Sequence, residues 1–260
     1  MNKFVMLYSL EDHKKYFVTI NKDHIEKNKF YTTKDGKISY KDLFKAKEGD
    51  ILKTHLGKNY VVFSPSLMDF ILYKLKRLTQ IIYPKDSAYI ALKLNIKKGD
   101  KVLEFGTGSG ALTSILAWAV GDTGKVITFE KEEKFLENAK KNLEILSLDK
   151  QVEFHLGTIL EYNEDEKFDA IFIDVKDPVP FIDKASKLLK EGKYIGFLCP
   201  TTNQVCQILK KLKELPFADF EVTEILLRKY KINPDRFRPE DLMIGHTAYL
   251  LFARKYKEIK

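Results

Sequence analysis

One stretch restricts this chain more than any other: Val102-Leu103-Glu104-Phe105-Gly106-Thr107-Gly108-Ser109-Gly110. A short apolar run carrying one acid gives way to three glycines that alternate with small polar residues. Residues 111–120 are then almost wholly apolar, long enough for a buried helix. The order is strand, tight turn, helix. Glycines at such a turn allow positive φ and let a ligand approach without meeting a Cβ. The helix start beyond offers free N–H groups to a phosphate or a carboxylate. Sheets built from such units bind ligands at the carboxyl ends of their strands, so a nucleotide-like ligand is expected here.

The spacing narrows the ligand. Gly-x-Gly-x-Gly differs from the Gly-x-Gly-x-x-Gly of dinucleotide binders, and no Gly-x-x-x-x-Gly-Lys-Ser/Thr phosphate loop is present. The pattern Glu-x-Gly-x-Gly-x-Gly resembles motif I of the S-adenosylmethionine-dependent methyltransferases. That resemblance implies that Glu104 receives the ammonium of the cofactor, directly or through water. It also implies that the turn from Gly106 through Thr107, Gly108, Ser109 and Gly110 to Ala111 takes up the cofactor carboxylate. A second strand, over 125–130, ends in Glu130, where nucleoside-binding sheets accept hydrogen bonds from ribose hydroxyls. The alternative is a ligand-free turn with Glu130 an ordinary first-turn acid of the next helix.

Composition sets the outer limits. With 260 residues, 44% apolar and 12% aromatic, the chain is expected to hold one large globular domain with or without a small companion. Its longest apolar run is too short to cross a bilayer. After a few apolar residues the N-terminus meets Glu11, Asp12, His13, Lys14 and Lys15, unlike a signal peptide, so a cytoplasmic location is expected. Cys199 and Cys206 make neither a disulfide framework nor a zinc site, and no metal is expected. A net charge of +8 is compatible with a polyanionic partner without requiring one.

Residues 1–63 read as a small basic, barrel-like β-domain from β-forming runs at 4–8, 16–20, 29–33, 37–40, 51–54 and 60–63. Its lysines fit either a solvated face or RNA phosphates. Residues 64–260 read as the main domain, with a helical lead-in over 64–100. In it Ser64-Pro65 opens one helix and Asp86 caps another. From Lys101 strands alternate with helices: strands at 151–156, 169–174 and 194–199, helices over 132–147, 181–190 and 202–215. This α/β pattern predicts a mostly parallel, Rossmann-like sheet covered on both faces. The last two strands, near 220–227 and 247–253, are expected to pair antiparallel at the edge, with a long loop over 229–244.

Asp174 ends the apolar strand Ala170-Ile171-Phe172-Ile173, which places a carboxylate near the expected ligand crevice. A role as a loop cap is the alternative. Here the chain is similar, over nearly its whole length, to the tRNA adenine-N1 methyltransferases that act on adenine 58 of the T-loop. The residues that carry this are Arg-Leu-Thr-Gln-Ile-Ile-Tyr-Pro-Lys-Asp over 77–86, the glycine motif, and Phe172-Ile173-Asp174 with Pro178. Further on they are Pro200-Thr201-Thr202-Asn203-Gln204-Val205 and the ending Gly245-His246-Thr247-Ala248. The resemblance implies a seven-stranded methyltransferase sheet, a homotetramer, tRNA as partner, and S-adenosylmethionine as cofactor. It also implies that Asp174 holds the target base beside the cofactor.

With that substrate, Tyr83 is a candidate wall for the flipped adenine and Gln80 a candidate polar contact in the cofactor region. Arg77, Lys85, Arg236 and Arg238 are candidate phosphate contacts. Two departures stand out: Val179 replaces the family's usual Trp, and no acid occupies Gly157-Thr158-Ile159. Rivals are a protein isoaspartyl or precorrin methyltransferase, a non-catalytic tRNA-binding subunit, and an NAD-dependent oxidoreductase. The Gln80–Asp86 segment and the basic N-terminal domain argue against the first, the subunit is expected to lose the glycines or Asp174, and the oxidoreductase is disfavoured by glycine spacing.

Overall fold

A computed structural model describes residues 3–162 and 165–257. The chain divides into two compact units, Met1–Lys74 and Leu75–Lys260. The first contains β1 (Lys3–Ser9), β2 (Lys15–Ile20), α1 (Lys22–Glu26), β3 (Phe30–Thr33), β4 (Gly36–Ser39), α2 (Tyr40–Lys45), β5 (Ile51–Lys53), β6 (Asn59–Phe63) and α3 (Leu67–Tyr73). Its antiparallel sheet runs β2-β1-β6-β5, with β3-β4 as a separate hairpin, so it stays open at its edges. Alternation decides the packing. Val5 and Leu7 of β1 join Val18, Ile20, Tyr60 and Val62 in one buried cluster.

The helix expected to start at Ser64-Pro65 begins instead at Leu67. Ser66 is the better cap because Asp69 completes a capping box with it. This helix belongs with the smaller unit, where Phe70 meets Phe4 edge-on and Tyr73 stacks on Phe17. The short helices α1 and α2 went unread, being too brief to show a helical period.

The second unit contains α4 (Pro84–Lys93), β7 (Lys101–Phe105), α5 (Ala111–Val120), β8 (Lys125–Glu130), α6 (Glu133–Leu146), β9 (Val152–Leu156), β10 (Phe168–Ile173), α7 (Ile182–Leu188), β11 (Leu189–Cys199), α8 (Thr202–Leu212), β12 (Phe217–Thr223) and β13 (Tyr249–Lys255). Strand order is β12-β13-β11-β10-β7-β8-β9. Strands β9, β8, β7, β10 and β11 run parallel; β13 lies antiparallel between β11 and β12. The chain turns back on itself at β7, which is flanked by β8 on one side and β10 on the other. That switch point opens a crevice beyond the strand ends.

The central strands β7, β8, β10 and β13 bury both faces, whereas the edge strands β9 and β12 are largely half-buried or exposed. Leu103, Phe105, Ile171, Ile173 and Phe197 pack under α7 and α8, with Ile182 and Ile208. Val102, Val126, Ala170 and Phe172 pack under α4 and α5, with Ile90, Leu112 and Leu116. At about 1.5–3 kcal/mol for each large apolar side chain, these layers hold the strand ends that carry the chemistry.

Several boundaries differ from expectation: the penultimate strand, expected near 220–227, is Phe217–Thr223, and three helix ends move. Helix α4 starts at Pro84 rather than after Asp86, because Pro suits the first helical position. Helix α7 stops at Leu188, and β11 runs from Leu189. The apolar spacing there continues the helical period, but Leu189 pairs with Phe168 and Lys190 with the Asp169 carboxylate. Helix α8 ends at Leu212, short of the expected 215. Among the described residues no helix is long and apolar enough to cross a membrane.

Candidate active site

The glycine bend follows β7 directly, and its three glycines have separate reasons. At Gly106 (φ +105°) an added Cβ would lie 2.0 Å from the Asp174 carbonyl oxygen, so only glycine lets the chain after β7 pass this close to the end of β10. Asp174 N in turn donates to the Phe105 carbonyl at 2.8 Å. Gly108 (φ +53°) donates its N–H to Glu130 Oε2 at 2.9 Å. Gly110 (φ +81°) caps α5, where a Cβ would press on Leu143 of α6 at 2.8 Å.

Glu104 lies beneath the bend, 1% exposed. Its Oε2 accepts from Thr113 of α5 (2.6 Å) and from Thr128, its register partner on β8 (2.7 Å). Its Oε1 is buried without a hydrogen-bond partner. That oxygen belongs to a residue lining a small cavity of about 20 Å³ with Gln80, Gly106, Ser109, Ala111 and Asp174. Burial pushes the Glu104 carboxyl up to about 8, against the pull of the two threonine hydroxyls; Asp174 and Glu130 add to the rise.

The main cavity, of about 1240 Å³, opens at the switch point. Gly106, Gly108, Glu130, Lys131 and Phe135 line one part of it, and Tyr83, Asp174, Pro200, His246 and Thr247 line another. One ligand pocket seldom exceeds about 1,000 Å³, so a cofactor and a second group both have room. Burial, and then the Glu130 carboxylate, push Asp174 up to about 7. Three carboxylates, Glu104, Glu130 and Asp174, thus surround the bend without a matching cation among their hydrogen bonds. A cationic ligand would relieve them all. An ammonium and a sulfonium on one small molecule fit that arrangement, and the unpartnered Glu104 Oε1 has the chemistry to accept from an ammonium.

Gln80, Tyr83, Glu104, Gly106, Gly108, Glu130 and Asp174 come together around the two cavities, and Thr107 and Ala111 line the smaller one. Ser109 is turned inward: its Oγ accepts from the Leu78 and Thr79 amides at 3.0 and 3.1 Å. It ties down the segment leading to Tyr83 rather than offering a hydroxyl to a ligand. Gly110, occupied with helix packing, is absent from the linings of both.

Lys85 is engaged within the fold. Its ammonium donates to both Asp86 oxygens (2.7 and 2.9 Å), to the Ile225 carbonyl (2.7 Å) and to Thr247 Oγ1 (2.8 Å). With its donors spent inside and its side chain 12% exposed, it is not placed to hold a phosphate. Arg77, Arg236 and Arg238 are exposed, and Arg238 pairs with Asp241. At Gly157-Thr158-Ile159 the Glu161 carboxylate lies against Gly157 and accepts from Thr158 Oγ1.

Sequence reasoning passed over Lys131, whose ammonium sits over the Phe181 and Phe105 rings at 5.1 and 5.9 Å, and the Thr113–Thr128 clamp on Glu104. Strand alignment contained a signal for Thr128, which lies level with Glu104 on the neighbouring strand. Among the described residues no cluster of His, Cys, Asp and Glu is grouped to hold a metal.

The strand order, the glycine bend at the switch point and the carboxylate-rimmed crevice define a methyltransferase of the S-adenosylmethionine-dependent class. Its sheet matches that of TrmI from Aquifex aeolicus, a tRNA (m1A58) methyltransferase, with a TM-score of 0.84 and 40% identity over 98% of each chain. A Thermotoga maritima structure described as a SAM-dependent O-methyltransferase is also similar, with a TM-score of 0.90 and 42% identity over 99% of this chain and 94% of that one. The tRNA (adenine(57)-N(1)/adenine(58)-N(1))-methyltransferase TrmI of Methanocaldococcus jannaschii is 34% identical, covering 90% of this chain and 89% of its own. Residues 60–244 match the model of the tRNA methyltransferase complex GCD14 subunit. The chain belongs to this tRNA methyltransferase family, which includes TrmI.

Proposed function

We propose that the protein transfers a methyl group from S-adenosylmethionine to N1 of adenine 58 in the T-loop of tRNA. The observation that carries this is Asp174: a half-buried carboxylate at the end of β10, beside the glycine bend and in the same cavity as Tyr83. The cofactor supplies an electrophilic methyl on a cationic sulfonium. Glu104 and Glu130 are the residues to hold its ammonium and ribose, and the Gly106–Gly108 backbone its carboxylate end.

N1 of adenine carries its own lone pair, so alignment matters more than deprotonation. Asp174, ionised beside a cation, accepts from the adenine N6 amino group. This aims N1 at the methyl and stabilises positive charge growing on the ring. When the product leaves neutral, Asp174 also takes the N6 proton. A T-loop base is stacked, so it must be turned out, and Tyr83 is the aromatic wall that receives it. Arg77, Arg236 and Arg238 are the proposed phosphate contacts.

The partner is tRNA, and the protein assembles as a homotetramer. Supporting the assembly are apolar side chains exposed between β12 and β13, among them Leu226, Ile232, Leu242 and Ile244. Incubation with labelled cofactor and unmodified tRNA, followed by mapping of the modified base, tests the reading. Label at N1 of adenine 58 supports it. Label on a small hydroxylated acceptor, with none on tRNA, overturns it in favour of an O-methyltransferase.

A further inference from the structure

The chain between β12 and β13 leaves and rejoins the sheet beside the part of the cavity that holds Tyr83 and Asp174, and both of its roots are tied. Lys85 reaches the Ile225 carbonyl at one root and the Thr247 hydroxyl at the other, and Thr247 donates on to Asp86 at 3.1 Å. Next to this tie lies His246, which lines the cavity. Its Nδ1 meets the Glu224 carboxylate and its Nε2 the Pro200 carbonyl, at 3.2 Å. Glu224 follows β12, Pro200 follows β11 and His246 precedes β13. One ring therefore joins the ends of three strands.

Both partners are acceptors only. A neutral imidazole has a single N–H and would turn a lone pair towards one of them. The imidazolium alone donates to both. The charged and titratable groups around the ring are Glu224 from the end of β12, Lys85 and Asp86 from α4, Tyr249 from β13 with ring centroids 4.9 Å apart, and Asp174 in the same cavity.

We propose that His246 is a positioning residue for the acceptor base, fixing the Pro200 wall of the cavity as a doubly donating imidazolium. It rests on the tRNA reading above. The Glu224 carboxylate and the Pro200 carbonyl hold the imidazole above its usual range, while Lys85 opposes them. Loss of the proton sets Nε2 or Nδ1 against an acceptor, and the wall loosens. At saturating cofactor, kcat/KM for tRNA then falls on the alkaline side as His246 deprotonates, opposite the acid limb set by Asp174.

The test follows methyl transfer from pH 6 to 9 in the wild-type protein, Glu224→Gln and His246→Gln. Alongside it, an NMR titration of the His246 ring is assigned by its disappearance in His246→Gln. Glu224→Gln is expected to lower both the His246 pKa and the alkaline limb by about one unit together. His246→Gln is expected to raise KM for tRNA about tenfold at pH 6.5 and to abolish the alkaline limb, leaving calorimetric cofactor affinity within twofold. A limb that stays in place while the His246 pKa moves, or an unchanged tRNA KM in His246→Gln, overturns the proposal. If His246→Gln does not fold, the Glu224→Gln pair of measurements decides alone, the imidazole then being assigned by labelling. Absence of transfer to tRNA by the wild-type protein refutes the function instead.

Discussion

Glu104→Gln tests whether the acid beneath the glycine bend is held for a ligand at the expense of the free protein. In the unfolded chain this carboxyl titrates near 4.5, in the folded one near 8. Between those values the unfolded state has released a proton that the folded state keeps, so stability falls as pH rises from about 4.5 to about 8, and then levels off. The destabilisation is roughly 1 kcal/mol at pH 5, 3 at pH 7 and 5 at pH 9, using about 1.4 kcal/mol per unit. Glutamine removes this dependence. Its amide oxygen still accepts from Thr113 and Thr128, while its NH2 takes the unpartnered Oε1 position and costs about 1–3 kcal/mol as an unmet donor. The NH2 cost does not vary with pH. The stability of the variant relative to wild type should therefore grow by of order 4 kcal/mol from pH 5 to pH 9. Urea unfolding without cofactor, followed through Trp118, the only tryptophan in the sequence, reads the unit concerned. Cofactor affinity, measured by calorimetry, should fall at the same time. Parallel pH profiles for the two proteins would refute the reasoning outright.

Further outcomes follow from neighbouring residues. Asp174→Ala should keep cofactor binding and lower single-turnover methyl transfer at least about a hundredfold, roughly 3 kcal/mol; near-wild-type turnover removes it from the mechanism. Cofactor binding near pH 7 should release protons, because a cation draws Asp174 and Glu104 below their raised values of about 7 and about 8. Calorimetry in buffers of different ionisation enthalpy should thus show a buffer-dependent heat, and a buffer-independent heat counts against the carboxylate trio. Lys85→Met leaves Asp86, 2% exposed, without its cation and should cost about 3–5 kcal/mol by denaturant unfolding. A variant of wild-type stability whose tRNA affinity has lost salt dependence would restore Lys85 as a phosphate contact. Gly106→Ala must move the Asp174 carbonyl and should abolish cofactor binding, checked by equilibrium dialysis.

Much of this molecule could be read from the sequence because its central strands are buried on both faces. Apolar runs that carry Glu104 or end in Glu130 and Asp174 locate the parallel strands and their chemical ends together. What escaped reading depended on partners distant in sequence. Lys85 looks like any surface lysine until Ile225 and Thr247 are brought to it. Ser109 sits among ligand-facing residues, yet its hydroxyl belongs to the Leu78 and Thr79 amides. The false helix end near 190 has the same origin, since the spacing of Ile182, Ala185 and Leu188-Leu189 is helical and only pairing with β10 draws Leu189 into a strand.

The Ser109 hydroxyl has a mechanical consequence. Asn142 bonds the Ser109 carbonyl and the Lys76 carbonyl, and Asn138 bonds Lys76 as well, so the segment before Gln80 hangs from the glycine bend. Any small displacement of the bend is passed along a few residues of chain to Tyr83. A donor seated at that bend would set the height of the platform on which an extruded purine comes to rest.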